Sequence, residues 1–168
     1  MAGPSQYVTL GVAGELFAAP VERVHEILEL RTIARLPRAP RVLLGIIDVR
    51  GLNVPVIDLR NSLGFETVAD TENTRIMVLS VHAADGEKII GLKTDRVYEV
   101  TVFDNESLDP APDMIDGWKA LAIAGIARKD GRFVTVLDID ALFGSLPVAA
   151  GLEDDAGIGA PLAFGAGE

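Results

Sequence analysis

Between Leu44 and Arg60 the chain reads Leu-Gly-Ile-Ile-Asp-Val-Arg-Gly-Leu-Asn-Val-Pro-Val-Ile-Asp-Leu-Arg. Two runs rich in Val and Ile flank the turn sequence Arg50-Gly51-Leu52-Asn53, which is the pattern of a β-hairpin. A strand with one wet face alternates apolar and polar residues. These two runs do not, so both faces must be covered, or the hairpin must be shared between two cores. Pro55 has no N–H to give to a ladder and predicts an edge position or a bulge. Arg50 stands at the tip of the first run, one charge displayed beside an apolar surface. Asp48, two residues earlier, reads as its ion-pair partner, and Asp58 reads as a local cap or pair.

A chain of 168 residues can form one domain or two small subdomains with real cores. Apolar residues make up 49% and charged residues 24%, a globular balance that excludes wholesale disorder. A net charge of −10 argues against nucleic acid as the partner. Against that acidic background Arg31, Arg35, Arg38 and Arg41 cluster, interleaved with Ile33, Leu36 and prolines. The cluster reads either as a surface for an acidic partner or as a solvated loop. Cysteine is absent, which removes disulfides, thiolate chemistry and Cys-based zinc sites and fits a reducing compartment. Met1–Gln6 lacks the pattern of a signal peptide, and no apolar run approaches the ~20 residues of a membrane span. Any membrane association is therefore expected through another protein.

Taken in order, Tyr7–Val12 and Glu15–Ala19 read as strands around an Ala13-Gly14 turn. Pro20 suits the first turn of a helix, and Val21, Val24, Ile27 and Leu28 recur at three- and four-residue spacing, predicting a short amphipathic helix. Thr32–Pro40 is extended or looped, because its prolines bias the preceding residues away from helix. After the hairpin comes a polar loop over 66–73. Arg75–Val81 then reads as a buried strand paired with Lys88–Thr94 across Asp85-Gly86. Val97–Val102 alternates. Leu121–Ala127 and Arg132–Leu137 form a further hairpin across Lys129-Asp130-Gly131. Asp140 is expected to cap a last short helix ended by Gly144. The chain from Leu146 on turns Ala- and Gly-rich and acidic, a mobile tail or loosely docked extension. Roughly ten short strands with frequent turns favour barrels or a sandwich. The two halves look alike only in being hairpin-rich, with no exact internal repeat.

Few residues here carry chemistry. His25 and His82 stand far apart and outside metal-ligand spacings, reading as a helix-surface and a turn residue. There is no Gly-x-Ser-x-Gly elbow, phosphate-loop lysine motif or Gly-x-Gly-x-x-Gly. Asp48 and Asp58 are the one carboxylate pair that a small β-barrel hydrolase would use. Neither Asp-Thr-Gly nor Asp-Ser-Gly occurs.

Several stretches together resemble one family, the CheW-like chemotaxis coupling proteins. They are Leu10-Gly11 with Glu15-Leu16-Phe17, Val24-His25-Glu26-Ile27, Leu36-Pro37-Arg38-Ala39-Pro40, Gly45 through Gly51, and Val54 through Arg60. Gly91 through Val97, Pro110-Ala111-Pro112 and Val136-Leu137-Asp138-Ile139 follow in the same order. The likeness runs from about Tyr7 to Phe143. It implies a mainly β fold of two packed five-stranded SH3-like β-barrels with short connecting helices. Residues 1–145 would form one CheW-like domain, with the passage between subdomains near 66–85 and the N-terminal strand crossing between barrels. Residues 146–168 would be an acidic tail.

The resemblance implies an adaptor without catalysis, cofactor or metal, working in the cytoplasm and recruited to membrane-bound receptor arrays. Its partners would be methyl-accepting chemoreceptors, the regulatory domain of the histidine kinase CheA, and other CheW-like proteins. The alternatives are a coupling protein of a non-flagellar system (twitching or development), a CheW-like module separated from a receiver domain, and the hydrolase above. Carried over by position, Val24, Glu26, Gly45 and Arg50 match the receptor groove, with Val97 and Val100 on the second barrel's side of it. Ile27 and Met114 match kinase contacts. Simple core packing is the other account of Val24, Ile27, Val97 and Val100. Glu26 and Arg50 are expected to pair and shape the groove, since an arginine among apolar strands needs a counter-charge. Lys93, Thr94 and Asn53 depart from the family's apolar pattern.

Overall fold

The computed structural model describes residues 4–104, 107–110 and 123–144. Met114 and the segment from 146 onward lie outside the described residues. Among those described, ten strands form two five-stranded sheets. β1 (Pro4–Val12), β2 (Glu15–Pro20), β8 (Arg96–Asp104), β9 (Ile123–Lys129) and β10 (Arg132–Leu137) make the first, in the order β8-β1-β2-β10-β9. β3 (Val24–Glu29), β4 (Leu43–Val49), β5 (Leu52–Asp58), β6 (Arg75–Ala83) and β7 (Gly86–Thr94) make the second, in the order β3-β6-β7-β5-β4. Two short helices, α1 (Leu59–Ser62) and α2 (Ile139–Phe143), follow β5 and β10. Residues 66–85 are not the passage between sheets, because β6 lies inside the second one. The chain crosses at the 3₁₀ turn Val21–Arg23 and again at Asp95, so the first sheet is built from both ends of the chain.

Three apolar cores explain why so many strands lack alternation. One fills the first sheet's own curl, with Tyr7, Ala18, Phe103, Val134 and Val136. One fills the second sheet's curl, with Ile47, Val54, Val56, Ile76 and Val78. The third lies between the sheets and joins Leu10 and Phe17 to Met77, Leu79, Leu92 and Phe143. β6 sends Ile76 and Val78 into one core and Met77, Leu79 and Val81 into the other. The hairpin 43–58 divides in the same way, with Leu43 and Ile57 facing the shared core and Ile47, Val54 and Val56 the barrel interior. Burial on both faces is thus the consequence of one strand serving two cores. Pro55 is on neither an edge strand nor a bulge of β5. It falls one residue before the parallel ladder with β7, which begins at Val56, so its missing N–H breaks no bond of that ladder.

The helix expected over Val21–Leu28 is instead the 3₁₀ turn followed by strand β3. β3 carries one extra residue relative to β6, between Val24 opposite Leu79 and Glu26 opposite Val78. That bulge puts Val24 and Ile27 on one face although they are three apart, which imitates a helical period in the sequence.

The structure also reveals a repeat. Both sheets share one strand pattern, with β8, β1, β2, β10 and β9 matching β3, β6, β7, β5 and β4, including a parallel pair at the same place. Gly45, Ile46, Gly51, Val54, Val56 and Asp58 recur without a gap as Gly125, Ile126, Gly131, Val134, Val136 and Asp138. Asp58 and Asp138 cap α1 and α2 through the backbone N–H groups of Arg60 and Ala141. Glu22-Arg23-Val24-His25-Glu26-Ile27 likewise matches Asp95-Arg96-Val97-Tyr98-Glu99-Val100.

Two charge pairs bridge the junction between sheets. Arg60 meets Asp95 through Nε and Nη2 at 2.9 and 2.7 Å, and Asp95 also accepts the Ala13 N–H at 2.9 Å. Arg23 meets Asp140 in a bidentate contact at 2.6 Å, and Asp140 accepts the His82 N–H at 2.7 Å. Burial opposes ionisation of Asp95, but the Arg60 and Ala13 hydrogen bonds outweigh it and hold the carboxyl below its ordinary value. The Arg23 hydrogen bond lowers Asp140, again against burial. Carboxyls depressed in the folded state add stability at neutral pH and lose it as the pH falls through their folded values. Asp58 runs the other way, because burial raises it. The melting temperature is therefore expected to fall on acidification below about pH 4. An Asp95→Asn, Asp140→Asn double variant should show a flatter acid slope. Equal slopes in the two proteins would remove this assignment.

Candidate functional site

The second sheet curls until its two edge strands, β3 and β4, face each other. No ladder joins them among the described residues, and side chains close the seam. Arg31 Nη1 donates to the Asp48 carbonyl at 3.1 Å, and Arg50 Nη2 contacts Glu26 Oε1 at 3.2 Å. Glu26 sits opposite Val78, a barrel-interior residue, at the end of that core. Its side chain is about three-quarters shielded, whereas the Arg50 side chain is 80% exposed. The pair therefore presents a cation at the rim with a carboxylate behind it. Exposed pairs of this kind contribute about 0–1 kcal/mol, so this one is poorly explained as a stabilising contact.

Arg50 occupies the first position of a two-residue turn with φ +53°, followed by Gly51 at +88°. Positive φ at both central residues is the turn whose twist matches a hairpin. The Asp48 carboxylate accepts the Gly51 N–H at 2.8 Å, which holds the turn. Asp48 is thus a turn anchor, and the ion-pair partner of Arg50 is Glu26.

Gly45 is buried on β4 and lies against its own chain. A Cβ there would stand 2.1 Å from the Ala34 carbonyl oxygen. Ala34 exchanges two backbone hydrogen bonds with Ile46, at 2.9 and 2.8 Å. The close approach that glycine permits is therefore made by the 30–41 linker. Gly125 repeats the arrangement beneath Leu108 and Asp109, where Asp109 pairs with Ile126.

Val24 and Val97 are both partly buried against the shared core. Val97 opposes Leu10 and Val100 opposes Val8, with one extra residue of β8 between them. This second bulge puts Val97 and Val100 on the shared-core face, where Val100 emerges 56% exposed, followed by Val102. Ile27, opposite Met77, emerges 42% exposed from the same core at the β3 edge. The expected site residues thus fall into two groups. One is the seam of the second barrel, with Glu26 and Arg50 beside Val24 and Ile27. The other is the β8 margin, with Val97 and Val100. Val24, Ile27, Val97 and Val100 lie where the inter-sheet core reaches the surface, whereas Glu26 and Arg50 cap the end of the second barrel's own core.

Sequence reasoning missed the counterpart on the first barrel. Lys129 Nζ meets Glu99 Oε2 at 3.3 Å, joining edge strands β9 and β8 as Arg50 and Glu26 join β4 and β3. The signal was the matched pair Arg-Val-His-Glu and Arg-Val-Tyr-Glu.

The remaining candidates disperse. Asp48 lies opposite Asn53, at the far end of the hairpin from Asp58. The separation is about 16 Å along the strand, beyond the span over which two carboxylates share acid/base work. Asp58 is buried and occupied as a helix cap. His25 stands on β3 within 2.9 Å of Ser80 Oγ, and His82 belongs to β6, so neither is on a helix or in a turn. Among the described residues no group of three or more His, Cys, Asp or Glu side chains is arranged for a metal. Arg31 and Arg35 line a pocket of about 520 Å³ with Leu30, Ile33 and Lys93, whose ammonium is paired with Asp70 at 2.5 Å. Thr94 is buried and donates to the Gly11 carbonyl, so two of the three polar departures, Lys93 and Thr94, have partners, and Asn53 stands opposite Asp48 beside the hairpin turn. No helix among the described residues is long and apolar enough to cross a membrane.

The family model of the CheW-like domain matches residues 6–146. The chain is 24% identical over 143 residues to the chemotaxis protein CheW of Rhizobium meliloti, covering 85% of this chain and 90% of that one. It is 27% identical over 135 residues to the chemotaxis protein CheW of Helicobacter pylori, covering 80% and 79%. Among solved structures, the scaffolding protein TtCheW from Thermoanaerobacter tengcongensis aligns with a TM-score of 0.75 at 28% identity, covering 86% of this chain and 95% of that one.

Proposed function

The chain belongs to the CheW-like domain family, and from that premise we propose that it is a chemotaxis adaptor linking chemoreceptor cytoplasmic tips to the histidine kinase CheA. The observation that carries the reading is the seam of the second barrel. An exposed arginine, backed by a shielded glutamate, caps the rim of the barrel's own core, and Val24 and Ile27 lie on the other face of the same edge strand, toward the inter-sheet core. Such a surface suits a helical partner that offers an apolar stripe with a flanking acidic group, a helix-in-groove contact. Val24, Glu26 and Arg50 would meet the receptor on one side, with Val97 and Val100 on the other. Gly45 would contribute by shaping the strand beneath. Ile27, and Met114 beyond the described residues, would face the regulatory domain of the kinase. Other CheW-like proteins are further candidates for barrel-to-barrel contacts. The adaptor would work in the cytoplasm and reach the membrane only through receptors.

An adaptor works through surfaces rather than a reaction centre. The test is co-sedimentation of the full chain with receptor-bearing membranes, and separately its binding to the purified kinase. Saturable recovery with both partners is expected. Recovery with neither would remove the adaptor reading.

A further inference from the structure

Each point where the chain passes between sheets carries an arginine–aspartate pair. We propose that these two pairs are positioning devices that fix the direction in which β3 and β8 leave the junction, and with it the spacing between the two groups of docking residues. The inference rests on the docking reading above.

The placement is specific. Arg23 immediately precedes Val24, and Asp95 stands two residues before Val97. Each is gripped by a short helix that follows a strand of the opposite sheet, α1 after β5 or α2 after β10. Arg23 leads into the second sheet and is held by Asp140 of α2, which follows the first. Asp95 leads into the first sheet and is held by Arg60 of α1, which follows β5 of the second. In both pairs the aspartate also takes a backbone N–H from the far end of a central strand's run, Ala13 after β1 and His82 in β6. Backbone is therefore fixed on both sides of each crossing.

The repeat adds a second argument. Arg60 and Asp140 are each the second residue after the capping aspartate, so they occupy equivalent places with opposite charge. The molecule keeps a bidentate bridge at both crossings while exchanging which side carries which sign. What the two places share is a two-point bridge from the helix to the crossing, made end-on through Nη1 and Nη2 of Arg23 and side-on through Nε and Nη2 of Arg60. Val100 lies five residues beyond Asp95, about 16 Å along the strand, so a rotation of a few degrees at the bridge shifts Val100 by about 1 Å. A packed apolar contact responds to a shift of that size.

The chain has no native cysteine, so spin labels can be placed at Glu29→Cys on β3 and Val102→Cys on β8 without background. The distance distribution between the labels is compared in the parent, in Asp95→Asn, in Arg60→Asp, in Asp95→Arg and in the Arg60→Asp, Asp95→Arg double variant. Affinity for receptor-bearing membranes and for the kinase regulatory domain is measured on the same substitutions without labels. The parent should give one narrow distance. Asp95→Asn should broaden it and weaken receptor binding about five-fold, with binding of the kinase domain within about two-fold. The double exchange should narrow the distance again and recover receptor affinity relative to either single charge reversal. Unchanged distances in folded Asp95→Asn would overturn the proposal, as would a double exchange no better than Asp95→Arg alone. Should Asp95→Asn not fold, the exchange series decides by the same criterion. A parent that binds no receptor removes the docking reading, while the label distances still decide whether the pairs position the strands.

Discussion

Gly45→Ala is expected to destabilise the chain by about 3 kcal/mol or more, lowering its melting temperature by roughly 6–12 °C. The new Cβ would meet the Ala34 oxygen at 2.1 Å and the Ala34 carbonyl carbon and Ile33 Cγ2 at 2.8 Å. Two of these three atoms are backbone, so a side-chain rotation cannot relieve the clash. The linker must move, and the Ala34–Ile46 hydrogen bonds go with it, each a net loss of about 1 kcal/mol. Gly45 also has φ +151°, a conformation that residues with a Cβ seldom adopt. Gly125→Ala gives a calibrated comparison from the repeat. There the nearest atom is the Leu108 Cβ at 2.8 Å, with the Asp109 oxygen at 3.2 Å, so a smaller loss is expected. A thermal melt of Gly45→Ala that overlays the parent would contradict this account. So would partner binding that falls while the protein remains fully folded, since the glycine serves its own chain first.

The largest effect on function is expected from Arg50→Glu, with almost none on stability. Arg50 is mostly solvent-exposed, and the net worth of its pair is small, so the melting temperature should move by less than about 3 °C. Receptor binding should fall at least about ten-fold, because the substitution reverses the displayed charge and sets a second carboxylate against Glu26. Glu26→Arg should also weaken binding. The Glu26→Arg, Arg50→Glu exchange should recover coupling better than either single change if the pair's geometry shapes the groove. Titration of receptor-bearing membranes with the four proteins measures this. A double exchange no better than the worse single variant would end the pairing idea.

Much of the fold was legible because apolar runs this dense leave few ways to be buried. The hairpin around Arg50-Gly51, the buried strand from Arg75, and the turns at Ala13-Gly14 and Asp130-Gly131 all follow from apolar runs and turn chemistry. The Glu26–Arg50 pairing was legible too, from family position, although the reason expected for it, an arginine among apolar strands, does not hold for a side chain that is mostly exposed. Other features were not. Val21, Val24, Ile27 and Leu28 suggested a helix because a bulge in β3 places residues three apart on one face. Pro55 suggested an edge because sequence does not show where a neighbouring ladder begins. The repeat stayed hidden because the first barrel is assembled from both ends of the chain, which separates its elements in order while keeping them together in space. The β8 margin around Val97 and Val100 was marked by position, but its common face again depends on a bulge.

The adaptor claim is tested most directly by the phosphorylation rate of the histidine kinase CheA, mixed with receptor-bearing membranes and increasing amounts of this chain. The account predicts a rise of at least about ten-fold that needs all three components, saturates, and is lost with Arg50→Glu. A rate indifferent to the chain at every concentration would contradict it.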